Sequence, residues 1–61
     1  MKKITIIERD GTWYSRFTGE EEGEIRRLFH TNTIPTPYMS SYPKHKVIED
    51  IKRRNPDYIV E

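Results

Sequence analysis

The dipeptide Asp10-Gly11 constrains this chain most, because it separates two runs in which β-branched and aromatic residues alternate with polar ones. A two-residue turn of type I′ needs positive φ at both positions, which Asp-Gly tolerates, and it closes a hairpin of fixed register. We therefore predict strands over residues 3–8 and 12–17. The predicted cross-strand pairs are Arg9 with Thr12, Glu8 with Trp13, Ile6 with Ser15, and Ile4 with Phe17.

This register gives the hairpin two faces of different character, since successive side chains of a strand point to opposite sides. The apolar face carries Ile4, Ile6, Trp13 and Phe17, and the other face carries Thr5, Ile7, Tyr14 and Arg16. A slip of one residue in either strand would mix the two sets, so the pattern supports the same register as the turn.

A short amphipathic helix is predicted after the hairpin. Thr18 and Glu21 have the spacing of a capping box. Ile25, Leu28 and Phe29 then form the apolar stripe of a helix at i, i+3 and i+4. Gly23 weakens the first turn, so the helix either frays there or begins later.

Residues 31–43, TNTIPTPYMSSYP, are too rich in proline for a helix or a regular strand, and we predict a stiff, extended loop. Its apolar members include Ile34 and Tyr38, which are unusual in a solvated linker. Two interpretations follow from this composition. The loop is a binding element whose rigidity lowers the entropic cost of recognition, or it is a structural strap that closes a small core.

A second helix is predicted after this loop, with Pro43 in its first turn and a stop at Asn55-Pro56. Residues 57–61 are β-rich and predict a third strand, parallel to the first in the order 2-1-3 or antiparallel in the order 1-2-3. The expected fold is one α+β domain over residues 1–61, in the order β-β-α-α-β. It is a two-layer structure in which two helices pack on one face of a three-stranded sheet.

Composition excludes several classes of protein. Eleven basic and ten acidic residues nearly cancel to a formal charge of +1, which is far from the strongly basic balance of a dedicated nucleic-acid binder. The chain has no cysteine, so it has neither a disulfide nor a thiolate metal site. It also has no apolar run long enough for a membrane span and no apolar leader after Met1. We expect a soluble cytoplasmic protein.

No pattern in the sequence is typical of a catalytic or metal site. His30 and His45 are fifteen residues apart, and neither has a helical partner of ligand type. The glutamates at the start of the first helix lie where a helix N-terminus favours negative charge, which does not suit an acid catalyst. We predict no enzymatic activity, no cofactor and no bound metal.

Two functional hypotheses remain. The first is a small interaction domain, regulatory or accessory, that binds a protein partner or a second copy through its uncovered sheet face or its central loop. The second is single-stranded nucleic-acid binding, in which aromatic side chains stack on bases and a nearby guanidinium contacts phosphate. A protein partner is favoured, because the charges on both helices are arranged as locally neutralised pairs. The candidate binding residues are Tyr14, Arg16, Ile34, Tyr38 and Tyr58.

Overall fold

The structure is a computed structural model, and it describes all 61 residues. It contains four strands and two helices in the order β-β-α-β-α-β. The elements are β1 (Lys2–Arg9), β2 (Thr12–Gly19), α1 (Glu22–Phe29), β3 (Thr33–Met39), α2 (Lys44–Arg54) and β4 (Ile59–Val60). The prediction of an α+β domain with two helices is confirmed, but the predicted three-stranded sheet and β-β-α-α-β order are wrong.

One sheet contains all four strands in the order β3-β2-β1-β4. β1 and β2 are antiparallel, and β3 is antiparallel to β2 on the outer side of the hairpin. β4 pairs in parallel with the start of β1, placing Lys3 opposite Ile59 and Ile4 opposite Val60. The parallel alternative predicted for the terminal strand is therefore confirmed.

The hairpin forms as its turn chemistry requires. Asp10 and Gly11 have φ of 52° and 80°, the two positive values of a type I′ turn. Glu8 supports the turn, since its carboxylate accepts a hydrogen bond of 2.9 Å from the backbone N–H of Gly11. All four predicted cross-strand pairs are present in the register of β1 and β2.

The prediction that residues 31–43 lack regular structure is wrong, because β3 forms within them. The N–H of Phe17 bonds to the carbonyl of Asn32. Hydrogen-bonded and non-bonded pairs alternate along two antiparallel strands. Counting from Phe17, the pair of Tyr14 with Pro35 is therefore a non-bonded one. The nitrogen of Pro35 therefore faces away from β2, where no donor is needed. Proline is compatible with an edge strand in this position.

A β-bulge follows Pro35, since Thr12 pairs with Met39 and Tyr14 pairs with Pro35. Two more residues of β3 than of β2 lie between these pairs. The bulge includes Thr36, whose hydroxyl donates a 2.7 Å hydrogen bond to the carbonyl of Trp13. This bond holds the irregular part of β3 to its neighbour.

The core lies between the sheet and α2. Ile4, Ile6 and Val47 are fully buried, and burial of apolar area is the dominant favourable term in folding. Half-buried apolar residues surround this centre: Trp13, Phe17, Tyr38, Ile48, Ile51, Tyr58 and Val60. The apolar face predicted for the hairpin is therefore the face that carries the core.

The predicted capping box at Thr18 is wrong. Thr18 lies in β2 opposite Lys3, because the hairpin extends to the pair of Lys2 with Gly19. The helix consequently begins at Glu22, and its N-cap residue Glu21 makes no side-chain capping bond. α1 contacts β2 and contains no fully buried residue.

Candidate functional site

The sheet face opposite the core is the main candidate for a binding surface, and we call it the open face. Its members alternate along the strands with the core residues, as the register fixes them. The open face comprises Lys3, Thr5, Ile7, Arg9, Thr12, Tyr14, Arg16, Thr18, Thr33, Pro35, Met39 and Ile59, of which Thr33 alone is buried.

The open face has no helix over it. The shortest principal dimension of the molecule is 13 Å between Cα atoms. Layers of secondary structure pack about 10 Å apart, so helices on both sides of the sheet would need roughly 20 Å. One helical layer fits this thickness, and α2 occupies it through the contact of Val47 with the core.

Tyr14 lies at the centre of the open face between two arginines. The guanidinium of Arg9 lies 5.3 Å from the centroid of the Tyr14 ring, within the range of a cation–π contact. Arg16 is two residues further along β2 than Tyr14, which places their Cα atoms about 7 Å apart. Its side chain is exposed. Arg9 on β1, Tyr14 on β2 and Arg16 on β2 therefore form a line of cation, aromatic ring and cation across the sheet.

The charges of this face are unbalanced. Neither Arg9 nor Arg16 forms an ion pair, and the third cation, Lys3, pairs with Glu61 at 3.0 Å. None of the ten acidic side chains of the chain lies at a strand position of the open face. The face thus presents two uncompensated guanidinium groups beside an aromatic ring and the apolar side chains of Ile7 and Ile59.

Tyr58 lies on the core side of the sheet. Its ring meets Phe17 edge to face, with the two centroids 5.8 Å apart, and the ammonium of Lys2 lies 5.7 Å from its centroid. Burial raises the pKa of Tyr58, and the negative charge of Glu21 adds to that rise. In the last strand Ile59, which pairs with Lys3, is the residue on the open face.

Tyr38 also belongs to the core side, where it connects β3 to α2. Its hydroxyl donates a hydrogen bond to the carboxylate of Asp50, whose side chain is only 11% exposed. Arg53 pairs with the same carboxylate, and Nε of Arg54 lies 3.2 Å from each of its oxygens. The bond from Tyr38 and the charge of Arg54 hold the pKa of Asp50 below its usual value, and this bond, with burial, raises the pKa of Tyr38.

Residues 31–43 are bound to the rest of the domain at several points. Ile34 is half-buried opposite Ser15, on the core side by register. The rings of Tyr38 and Tyr42 stack with centroids 4.8 Å apart, and Nε1 of Trp13 donates a 2.8 Å hydrogen bond to the carbonyl of Tyr42. These contacts are those of a structural strap, one of the two interpretations of this stretch.

Of the five candidate residues, the structure brings together Tyr14 and Arg16. Ile34, Tyr38 and Tyr58 lie at core-side positions. Sequence reasoning did not include Arg9 or Ile59 among the candidates. Arg9 was detectable, because the alternation that places Tyr14 and Arg16 on one face also places Arg9 there.

The surface has no pocket, and no group of three or more histidine, cysteine or acidic side chains is placed to hold a metal ion. Neither helix is long and apolar enough to cross a membrane. Comparison of the chain with known protein families, with curated proteins and with solved structures gives no match.

Proposed function

We propose that the chain is a small non-catalytic interaction domain, regulatory or accessory in role, that binds a protein partner through the open face. The observation that supports this proposal most is the line of Arg9, Tyr14 and Arg16 on a sheet face that no helix covers. Tyrosine and arginine are enriched at protein interfaces, because each combines apolar area with directed polar contacts. The absence of cysteine from the sequence favours a reducing compartment such as the cytoplasm.

A partner has little opportunity to add a strand at the edge formed by β3. Pro35 and Pro37 have no N–H, the N–H of Thr33 bonds to the hydroxyl of Thr31 at 3.1 Å, and that of Tyr38 bonds to the hydroxyl of Thr36 at 3.2 Å. The edge therefore offers few free donors to a new strand, as is common for protected edges. Strand addition at this edge is therefore disfavoured.

The test is site-specific photo-crosslinking in extract from the source cells. A photoreactive phenylalanine analogue replaces Tyr14 in one variant and Lys46, an exposed residue of α2 on the other layer, in the control. We expect a discrete adduct from position 14 and none from position 46. Equal adducts from both positions, or none from position 14, would contradict the proposal.

Single-stranded nucleic acid is a second candidate for the same face. An uncovered four-stranded sheet with an aromatic ring between two arginines has the elements that single-strand binders use for base stacking and phosphate contact. Titration with a mixed-sequence single-stranded oligonucleotide at two salt concentrations tests this candidate. Binding that weakens steeply with salt and shifts the amides of Thr5, Tyr14 and Arg16 is expected from it, and the absence of shifts would exclude it.

A further inference from the structure

The charge of the open face restricts which partner can cover it. Arg9 and Arg16 have no acidic partner, while the acidic residues of the chain are concentrated at the hairpin turn, around α1, in α2 and near the C-terminus. An occupant that buries two unpaired guanidinium groups must supply negative charge, because a desolvated charge without a partner is costly. Charge complementarity therefore requires a partner surface with carboxylates or phosphates.

A second copy of this chain does not meet that requirement by packing face to face. A two-fold dimer through the open face would bury the arginines of both copies in one interface that offers them no free carboxylate. Glu61 is the one acid near this face, and Lys3 already pairs with it. Like charges in contact at an interface oppose association, so a homodimer through this face is disfavoured.

Nucleic acid fits the positive charge but fits the rest of the face less well. Single-strand binders stack successive bases on several aromatic side chains along a basic groove. The open face has one aromatic residue, Tyr14, and Arg9 already lies against its ring. Ile7 and Ile59 beside it match apolar side chains better than they match a sugar–phosphate backbone.

We propose that the open face docks a carboxylate-rich segment of a different protein. Arg9 and Arg16 contact its acidic side chains, and Tyr14, Ile7 and Ile59 contact its apolar ones. This inference rests on the proposed function and specifies the chemistry of the partner. Because opposite charges attract the two surfaces to each other, the affinity falls as salt screens that attraction, while the apolar contacts are largely unaffected.

The experiment measures amide chemical shifts of the protein with three probes. The first probe is a short synthetic peptide of alternating glutamate and leucine residues, the second is the same peptide with lysine in place of glutamate, and the third is oligothymidylate. We expect the glutamate peptide to shift the amides of Ile7, Arg9, Tyr14 and Arg16, and the lysine peptide to leave them in place.

A matched pair of variants assigns the effect to the open face. The variant Arg9→Glu/Arg16→Glu reverses two charges on this face, and Lys46→Glu/Lys52→Glu reverses two exposed, unpaired charges on α2. Both variants have the same net charge. We expect the first to weaken binding of the glutamate peptide by roughly tenfold or more and the second to change it less than about twofold.

Three results would overturn the inference: equal weakening by both variants, no binding of the glutamate peptide, or binding of oligothymidylate in its place. The crosslinking at position 14 separates this failure from that of the proposed function. If position 14 crosslinks to a neutral or basic segment of a partner protein, the proposal of an acidic partner is refuted and the proposed interaction function stands. Oligothymidylate binding without a protein adduct refutes both.

Discussion

Of the three glycines, Gly19 alone has no room for a side chain, and the substitution Gly19→Ala tests how the hairpin ends. Gly19 has φ of 89°, which side chains other than glycine rarely adopt. A Cβ atom at this position would overlap the carbonyl oxygen of Met1. That oxygen accepts a hydrogen bond of 3.3 Å from the N–H of Glu20, so the start of β1 must move and this bond is lost.

The expected cost has two parts. Positive φ costs an alanine about 1–2 kcal/mol, and the lost hydrogen bond costs about 1 kcal/mol. The substitution Gly11→Ala supplies a matched control, because Gly11 has φ of 80° but no atom within 4 Å of an added Cβ. Gly11→Ala should therefore cost the conformational part alone, about 1–2 kcal/mol.

Equilibrium urea unfolding of the two variants measures both costs. We expect the free energy of unfolding to fall by about 2–3 kcal/mol for Gly19→Ala, roughly 1 kcal/mol more than for Gly11→Ala. Equal losses would show that the clash with Met1 is relieved without cost. A larger loss at Gly11 would refute the reasoning from local geometry.

Three further predictions concern the core, the buried carboxylate and the end of α1. Ile6→Ala should lower the free energy of unfolding by about 2–5 kcal/mol, whereas Ile7→Ala on the open face should cost less than half as much, measured by urea unfolding. The pKa of Asp50 is lowered on folding. Its ionised carboxylate therefore stabilises the fold above the usual aspartate pKa, and this stabilisation is lost as the pH falls through the pKa of the folded state. The acid unfolding profile of Asp50→Asn should lack this loss. His30 ends α1 with φ of 62°, a conformation that glycine adopts without strain. His30→Gly should therefore stabilise the fold by up to about 1 kcal/mol and raise the melting temperature. A lower melting temperature would contradict this reason.

The hairpin could be predicted in detail because its determinants are local. The Asp10-Gly11 turn and the alternation of side chains specify the same register, and both act within a few residues of the turn. This register placed Tyr14 and Arg16 on one face before any tertiary contact was considered. That pair is the part of the candidate site that sequence reasoning located.

The sequence pattern did not predict β3, because proline is excluded from the interior of a sheet and opposes most strands. The two prolines at positions 35 and 37 are separated by one residue, so in an extended chain their nitrogens point the same way. An edge strand can place both on its outer side, where no donor is required. This spacing was the available signal for an edge strand.

The positions of Tyr38 and Tyr58 depend on contacts that local patterns do not determine. Tyr58 precedes a strand of two residues, and its side follows from the pairing of Lys3 with Ile59. Tyr38 follows a bulge, and its position is fixed by the bond to Asp50 on α2. The first depends on a long-range strand pairing and the second on a contact with α2, and the local sequence pattern determines neither.

The most direct test of the central claim is an amide chemical-shift map of the protein with the partner captured by crosslinking at position 14. If the open face is the binding surface, the shifts should be confined to it and include Thr5, Ile7, Tyr14 and Arg16. Shifts confined to the exposed side of α2, or to Leu28 and Phe29 of α1, would contradict the claim.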